Sequence, residues 1–257
     1  MSEQNLDLQR LVQHDDFPLA NKFNARWALE NEMGPSALWL TESLGQVMDL
    51  KPGMRVLDLG CGMAMSSIFL ARELGVQVWA TDLWISATDN WKRICEMGLE
   101  DRVYPVHAEA RALPYADQFF DAIVSLDSYH YFGTDVHYLE FHLLKLLKPG
   151  GQIGIVSPAS PQTVPHPLPD HLDQEWHFMR SVEWWNDLWT RCPGLDVEHC
   201  EPLPGGFDLW LRWSEIKQTA GVNNCPGQEE AEELATLRAD AGRYLGLVRM
   251  VARKHSA

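Results

Sequence analysis

The chain has 257 residues, 46% of them apolar, and a net charge of -15 with its histidines neutral, which suits one α/β domain with room for an added cap. That charge argues against a grip on nucleic-acid phosphates, which needs a basic face, and no local Lys/Arg cluster supplies one. No run approaches the ~20 apolar residues of a membrane span, and Met1-Ser2-Glu3-Gln4-Asn5 lacks the basic start and apolar run of a secretory signal.

Five cysteines, at 61, 95, 192, 200 and 225, have no CxxC spacing, so reduced thiols in a cytoplasm are expected and a structural zinc site is not. Residues 1–50 lack strand patterns and predict an N-terminal helical lid, with helices over 21–33 and 36–50 broken at Gly34-Pro35. From residue 54 short apolar runs alternate with helical patterns, the signature of βαβ units and a parallel sheet. Strands are predicted at 55–59, 76–81, 103–107, 120–125 and 152–156. Between them come helices at 65–74 (closed by Gly75), 87–97 and 134–147, and the turn Lys148-Pro149-Gly150-Gly151. Pro105 makes the third strand an edge or an irregular end.

After Ser157 the pattern changes. Residues 158–175 hold five prolines and read as a loop or lid over a site. A helix is expected within 176–189, a sixth strand at 197–199, helices at 207–220 and 228–242 around the breakers of 221–227, and a last strand at 245–251. The acidic run Glu229-Glu230-Ala231-Glu232-Glu233 reads as a solvated helix face.

Gly60-Cys61-Gly62 sits between the first strand and its helix, where glycines permit a sharp turn and let a ligand lie against bare backbone. A dinucleotide would need a third glycine where Met65 stands, and Asp58 would be unwelcome beside a pyrophosphate but suits a ligand with a positive end. Asp82, 20 residues after Gly62 at the end of the second strand, can accept hydrogen bonds from two ribose hydroxyls, or it can cap the following helix.

Val56-Leu57-Asp58-Leu59-Gly60-Cys61-Gly62 resembles the first motif of the class I, Rossmann-like S-adenosylmethionine-dependent methyltransferases, with Ala64 in place of that motif's last glycine. Glu109-Ala110-Arg111-Ala112-Leu113-Pro114-Tyr115 resembles a later family motif, with glutamate for the usual aspartate. Phe120-Asp121-Ala122-Ile123-Val124-Ser125 and Lys148-Pro149-Gly150-Gly151 resemble the fourth strand and the turn before the fifth. The resemblance runs from about 51 to 157, with a looser match at the C-terminal strand. It implies S-adenosyl-L-methionine as cofactor. The loop Gly60, Cys61 and Gly62 would hold the methionine moiety with Asp58 near its ammonium, Asp82 the ribose and Leu83 the adenine face. Glu109 and Ala110 would meet the adenine edge, and Leu126 would line the same pocket. The fold implied is α/β: a seven-stranded, mostly parallel sheet with helices on both faces, an N-terminal helical extension, and a cap inserted after strand 5. The methyltransferase domain then covers 51–257, with cap segments at about 158–192 and 207–243.

By the same resemblance the methyl acceptor meets the end of the fourth strand, at Asp127-Ser128-Tyr129-His130-Tyr131-Phe132. His130 is a candidate base or a structural histidine, and Asp127 orients an amine, pairs with a cationic substrate or caps a turn. Trp27, Tyr129, Tyr131, His166 and Trp176 are candidate acceptor contacts, while Trp185 and Trp189, four apart, are expected to pack on the sheet. His166, His171 and His177 fit no standard metal spacing, so no metal is expected. A small-molecule acceptor is favoured. The acidic balance and the lack of an Asn/Asp-Pro-Pro-aromatic tetrapeptide after the fourth strand argue against nucleic-acid base amines. RNA or protein methylation and a catalytically silent cofactor-binding module remain as rivals, with a dinucleotide oxidoreductase more distant.

Overall fold

The computed structural model describes residues 3–172, 176, 179–222 and 230–256. Four of the five residues of β1 (Arg55–Leu59) are buried, and β4 (Phe120–Leu126) is nearly continuous in its burial. Such runs belong to strands covered on both faces. Val56, Val78 and Val124 enter one core while Leu57, Ile123 and Ile153 enter the other, so alternation along each strand feeds two separate layers.

The seven strands lie in the order β3-β2-β1-β4-β5-β7-β6, completed by β2 (Gln77–Asp82), β3 (Val103–His107), β5 (Leu147–Ala159), β6 (Leu195–Pro202) and β7 (Gly246–Lys254). All pairs are parallel except those of β7, which is antiparallel to both β5 and β6. Pro105 sits in β3, at the edge of the sheet. Leaving β1, the chain runs first to β2 and β3 and then returns to β4 on β1's other side. The switch point therefore falls between the carboxyl ends of β1 and β4, where open α/β sheets collect ligands.

The helices are α1 (Glu3–Leu11), α2 (Ala25–Glu30), α3 (Ala37–Gly45), α4 (Met65–Leu74), α5 (Ala87–Glu96), α6 (Val182–Thr190), α7 (Gly206–Ala220) and α8 (Glu230–Asp240). Their starts follow local chemistry: the side chains of Asn24, Ser36, Ser86 and Ser181 each accept a backbone N–H of the first turn of α2, α3, α5 and α6. Gly75 and Gly221 close α4 and α7 in the left-handed conformation. Leu38, Leu40, Ile68, Phe69 and Trp213 fill the first core. Trp185 and Trp189 of α6 are wholly buried in the second, in the packing role expected of them.

Four expectations are corrected. The helix expected over 21–33 is a 3-10 turn at Ala20–Lys22 followed by the short α2, because Asn24 takes the capping position. Its partner expected over 36–50 stops at Gly45, and Asp49 N donates instead to Gln152 Oε1 at 2.7 Å. The helix expected over 134–147 reduces to a π-helical turn at Leu139–Leu143. There the buried pairs Tyr138/Leu143 and Leu139/Leu144 are five residues apart, a period that a wide turn brings to one side. The expected turn at 148–151 is a bulged stretch inside β5, where pairing jumps from Phe120↔Leu147 to Ala122↔Gln152. His177, Cys225 and most of the breaker stretch 221–227 lie outside the described residues.

Candidate functional site

A cavity of about 820 Å³ opens at the switch point. It is walled on one side by the ends of β1, β2 and β4, and on the other by residues 31–37, Trp176, α7 and α8. Its size lies within the range usual for small-molecule sites.

The first wall is built from backbone. Gly60 and Gly62 take φ of 73° and 52°, in the region that favours glycine. A Cβ on Gly60 would run into the Ser128 side chain, and one on Gly62 would press Met33 Sδ at 3.3 Å. Gly60 N donates to Thr81 O at 2.8 Å and Gly62 N to Asp82 Oδ2 at 2.8 Å, tying the loop to β2. The other oxygen of Asp82 accepts from Trp84 N and Ile85 N at 2.7 and 2.8 Å. One carboxylate thus fixes the glycine loop and the next turn together, and it stays 8% exposed on the cavity. Asp82 does not cap the following helix, whose N-cap is Ser86; it holds the turn before α5 and lines the cavity. Met65 is buried at the start of α4, where a dinucleotide loop would need glycine. Ala64, at the glycine position of the motif, adopts φ 61°, a strained left-handed conformation for a residue with a Cβ.

Leu83, Trp84, Glu109, Ala110 and Tyr131 surround the mouth of this half. Trp84 is 66% exposed and meets the half-exposed Tyr131 edge-on, with centroids 5.3 Å apart. Glu109 Oε2 accepts from Arg111 N at 2.7 Å, and Tyr138 Oη donates to Ala110 O at 2.9 Å, so both residues are held from behind.

The far wall is built from side chains. Leu126, Asp127 and His130 follow β4 onto the cavity. Asp127 has φ 51° and fits against Gly34, whose absent side chain leaves room for its carboxyl group. Burial, then the negative charge of Glu233, push the Asp127 carboxyl well above the usual range, with Lys217 opposing. His130 is buried, its Nδ1 3.2 Å from Ser157 Oγ, and burial lowers its imidazole to about 3. Glu32 accepts from Met33 N and Ala37 N, each at 3.0 Å, and burial raises it well above the carboxylate range. Trp210 Nε1 donates to Glu233 Oε1 at 2.5 Å, and its ring lies 6.0 Å from that of Trp176.

Residues 56–151 match the family described as a methyltransferase domain. Residues 56–151 thus carry a methyltransferase domain. The chain is 34% identical over 117 residues to the methyltransferase GfsG of Streptomyces halstedii, covering 45% of this chain and 42% of that one. It is also 30% identical over 117 residues to the 27-O-demethylrifamycin SV methyltransferase of Amycolatopsis mediterranei, covering 45% and 43%. The chain thus spans under half the length of these relatives. Geranyl diphosphate C-methyltransferase of Streptomyces coelicolor A3(2), solved with Mg2+, geranyl diphosphate and S-adenosyl-L-homocysteine, shares the fold. Its TM-score is 0.66 at 17% identity, over 98% of this chain and 99% of that one.

The fold brings Gly60, Cys61, Gly62, Asp82, Leu83, Glu109, Ala110 and Leu126 onto one cavity, with Asp127, His130, Tyr131 and Trp176. Four other sequence candidates are elsewhere. Asp58 is fully buried behind the loop, outside the cavity wall; its Oδ2 accepts from Ser66 and Ser67 at 2.6 Å each. Burial lifts it to about 6 despite those serines. Trp27 is outside the wall because it stacks on Phe23 at 5.9 Å. Tyr129 is fully buried among Phe132, Tyr138, Trp185 and Trp189, and so packs in the core. His166 is exposed on the proline loop and does not reach the cavity wall. Its neighbour in sequence, His171, pairs through Nε2 with the buried Asp240 Oδ1 at 2.9 Å, a structural contact.

Sequence reasoning missed Glu32, Met33, Gly34 and Trp84, and it placed Glu233 in solvent. Glu233 was within reach: it stands four residues before the buried Leu237 on α8 and shares that face. Glu32, in the break between two helices, carries no such periodic signal.

Proposed function

We propose that the protein transfers methyl groups from S-adenosylmethionine to a small-molecule acceptor. The observation that carries this reading is the single cavity that runs from the glycine loop, past Leu126, to a second wall of side chains drawn from the N-terminal segment, α7 and α8. The relatives' names, a rifamycin methyltransferase among them, support an acceptor of that size.

The residues fit the cofactor. Gly60 and Gly62 leave a cradle that a Cβ would fill, Asp82 offers its carboxylate to ribose hydroxyls, and Leu83 and Trp84 present apolar surface to an adenine. Glu109 and the Ala110 backbone, on the same cavity, suit the adenine edge. When bound, S-adenosylmethionine supplies a methyl carbon activated by its positive sulfur. The chain's own task is then to position an acceptor and keep water out.

His130 suits positioning better than proton removal. A group lowered to about 3 is neutral at physiological pH but a feeble base there. Asp127, raised by burial, is the better candidate to take a proton at its carboxylate. Calorimetry with S-adenosyl-L-homocysteine, followed by tritiated methyl transfer into small molecules, RNA and protein, tests the reading. Product in the small-molecule fraction is expected. Label in RNA or protein alone would sink the small-molecule reading, and tight S-adenosyl-L-homocysteine binding with no product in any fraction would favour a silent binding module.

A further inference from the structure

Resting on the methyltransferase reading above, we infer that the far end of the cavity is an ammonium subsite and that the acceptor is a small amine held by Glu32, Asp127 and Glu233.

Three carboxylates reach that end from three elements far apart in the chain: the segment after α2, the end of β4, and α8. Two of them have work within the protein. Glu32 caps the start of α3 through Ala37 N, and Glu233 accepts the Trp210 indole N–H at 2.5 Å. Asp127 is different. It is half-buried and lines the cavity, and among the described residues its carboxylate accepts no hydrogen bond. A carboxylate removed from bulk water in this way needs a donor, and the cavity is where one can arrive.

The local charge balance points the same way. Lys217 Nζ, 3.8 Å from Glu233 Oε2, is the cation that the described residues set against the three acids. A positively charged ligand therefore improves the electrostatics of the wall, whereas a phosphate or carboxylate would face like charge. Burial is the main cause that raises Asp127 and Glu32, and the charge of Glu233 on Asp127 and of Asp127 on Glu32 adds to it.

The character of the surrounding wall selects among cations. Trp176 and Trp210 border the carboxylates with rings 6.0 Å apart and inclined at 47°. Indole faces beside carboxylates suit an organic ammonium, which is attracted to the rings and presents N–H or C–H groups to the acids. A hard metal ion would want oxygen ligands throughout.

The test uses the full chain saturated with S-adenosyl-L-homocysteine and two matched pairs of probes: choline against 3,3-dimethylbutan-1-ol, and tyramine against 4-ethylphenol. Calorimetry should show at least one amine binding tenfold or more tightly than its neutral counterpart. Asp127→Asn and Glu233→Gln should each remove that preference, while affinity for S-adenosyl-L-homocysteine and for the neutral probe stays within twofold. Glutamine at 233 keeps an acceptor for the Trp210 indole, and thermal melting confirms that each variant is folded. Amines binding no tighter than their neutral counterparts, or a preference that survives both substitutions, overturns the inference. Failure to bind S-adenosyl-L-homocysteine instead removes the methyltransferase reading; the same probe pairs on the unliganded chain then decide the amine preference by itself.

Discussion

The two walls of the cavity are made differently. The wall along the glycine loop is a run of strand ends in which Gly60, Gly62, Asp82 and the N–H groups of Trp84 and Ile85 fasten one another within some 25 residues of sequence. The opposite wall is assembled from Glu32, Asp127, Trp210 and Glu233, which share almost no local structure. The first can be inherited as a block, because its geometry comes with the βαβ unit. The second depends on how the N-terminal segment, α7 and α8 settle on the sheet, so it can change with little effect on the block beneath.

Substitutions should expose this difference. The largest effect is expected from Gly60→Val, which adds a Cβ against Ser128 at φ 73°. Affinity for S-adenosyl-L-homocysteine, read by calorimetry, should fall about a thousandfold, roughly 4 kcal/mol, while residues of the opposite wall cannot compensate.

Asp58 comes next, and its effect is on stability. Its folded-state value of about 6 lies above the ordinary 3.8, so its contribution is fully present below about pH 4 and is lost as pH rises through 6. The elevation corresponds to about 3 kcal/mol. In urea titrations of the unliganded chain, Asp58→Asn should flatten the pH dependence between 4 and 6; an unchanged slope would show that the loop is supported in another way.

Asp82→Asn removes an acceptor from the joint between loop and turn. It should cost about 2 kcal/mol in unfolding free energy and also weaken S-adenosyl-L-homocysteine, coupling stability to binding on the first wall. Ala64→Gly should raise stability by about 1 kcal/mol by relieving the φ of 61°, with the thermal midpoint moving upward. Smallest of all, His166→Ala on the exposed proline loop should stay within about 0.5 kcal/mol and leave methyl transfer unchanged. A large loss there would place the loop over the cavity after all.

The legibility of the molecule follows the same division. Helix α4 over 65–74 and strand β1 over 55–59 were readable because apolar period, Gly75 and the glycine loop agree with one another. The stretch 134–147 was misread as a regular helix because its leucines satisfy several periods, and only the five-residue spacing of its buried pairs against the sheet selected a π turn. Tyr129 and Tyr131 are indistinguishable as letters two apart, yet one is sealed among Trp185 and Trp189 while the other stands at the cavity mouth.

The sequence by itself determined the parallel sheet, the glycine loop and the acids that follow it, since each is encoded by residues a few positions apart whose backbone demands are local. Tertiary structure alone decided that Asp58 lies behind the loop, that Trp27 and His166 stay off the cavity, and that Glu32, Asp127 and Glu233 meet. Those outcomes depend on which faces of distant elements are buried against each other, and burial is a property of the packed molecule.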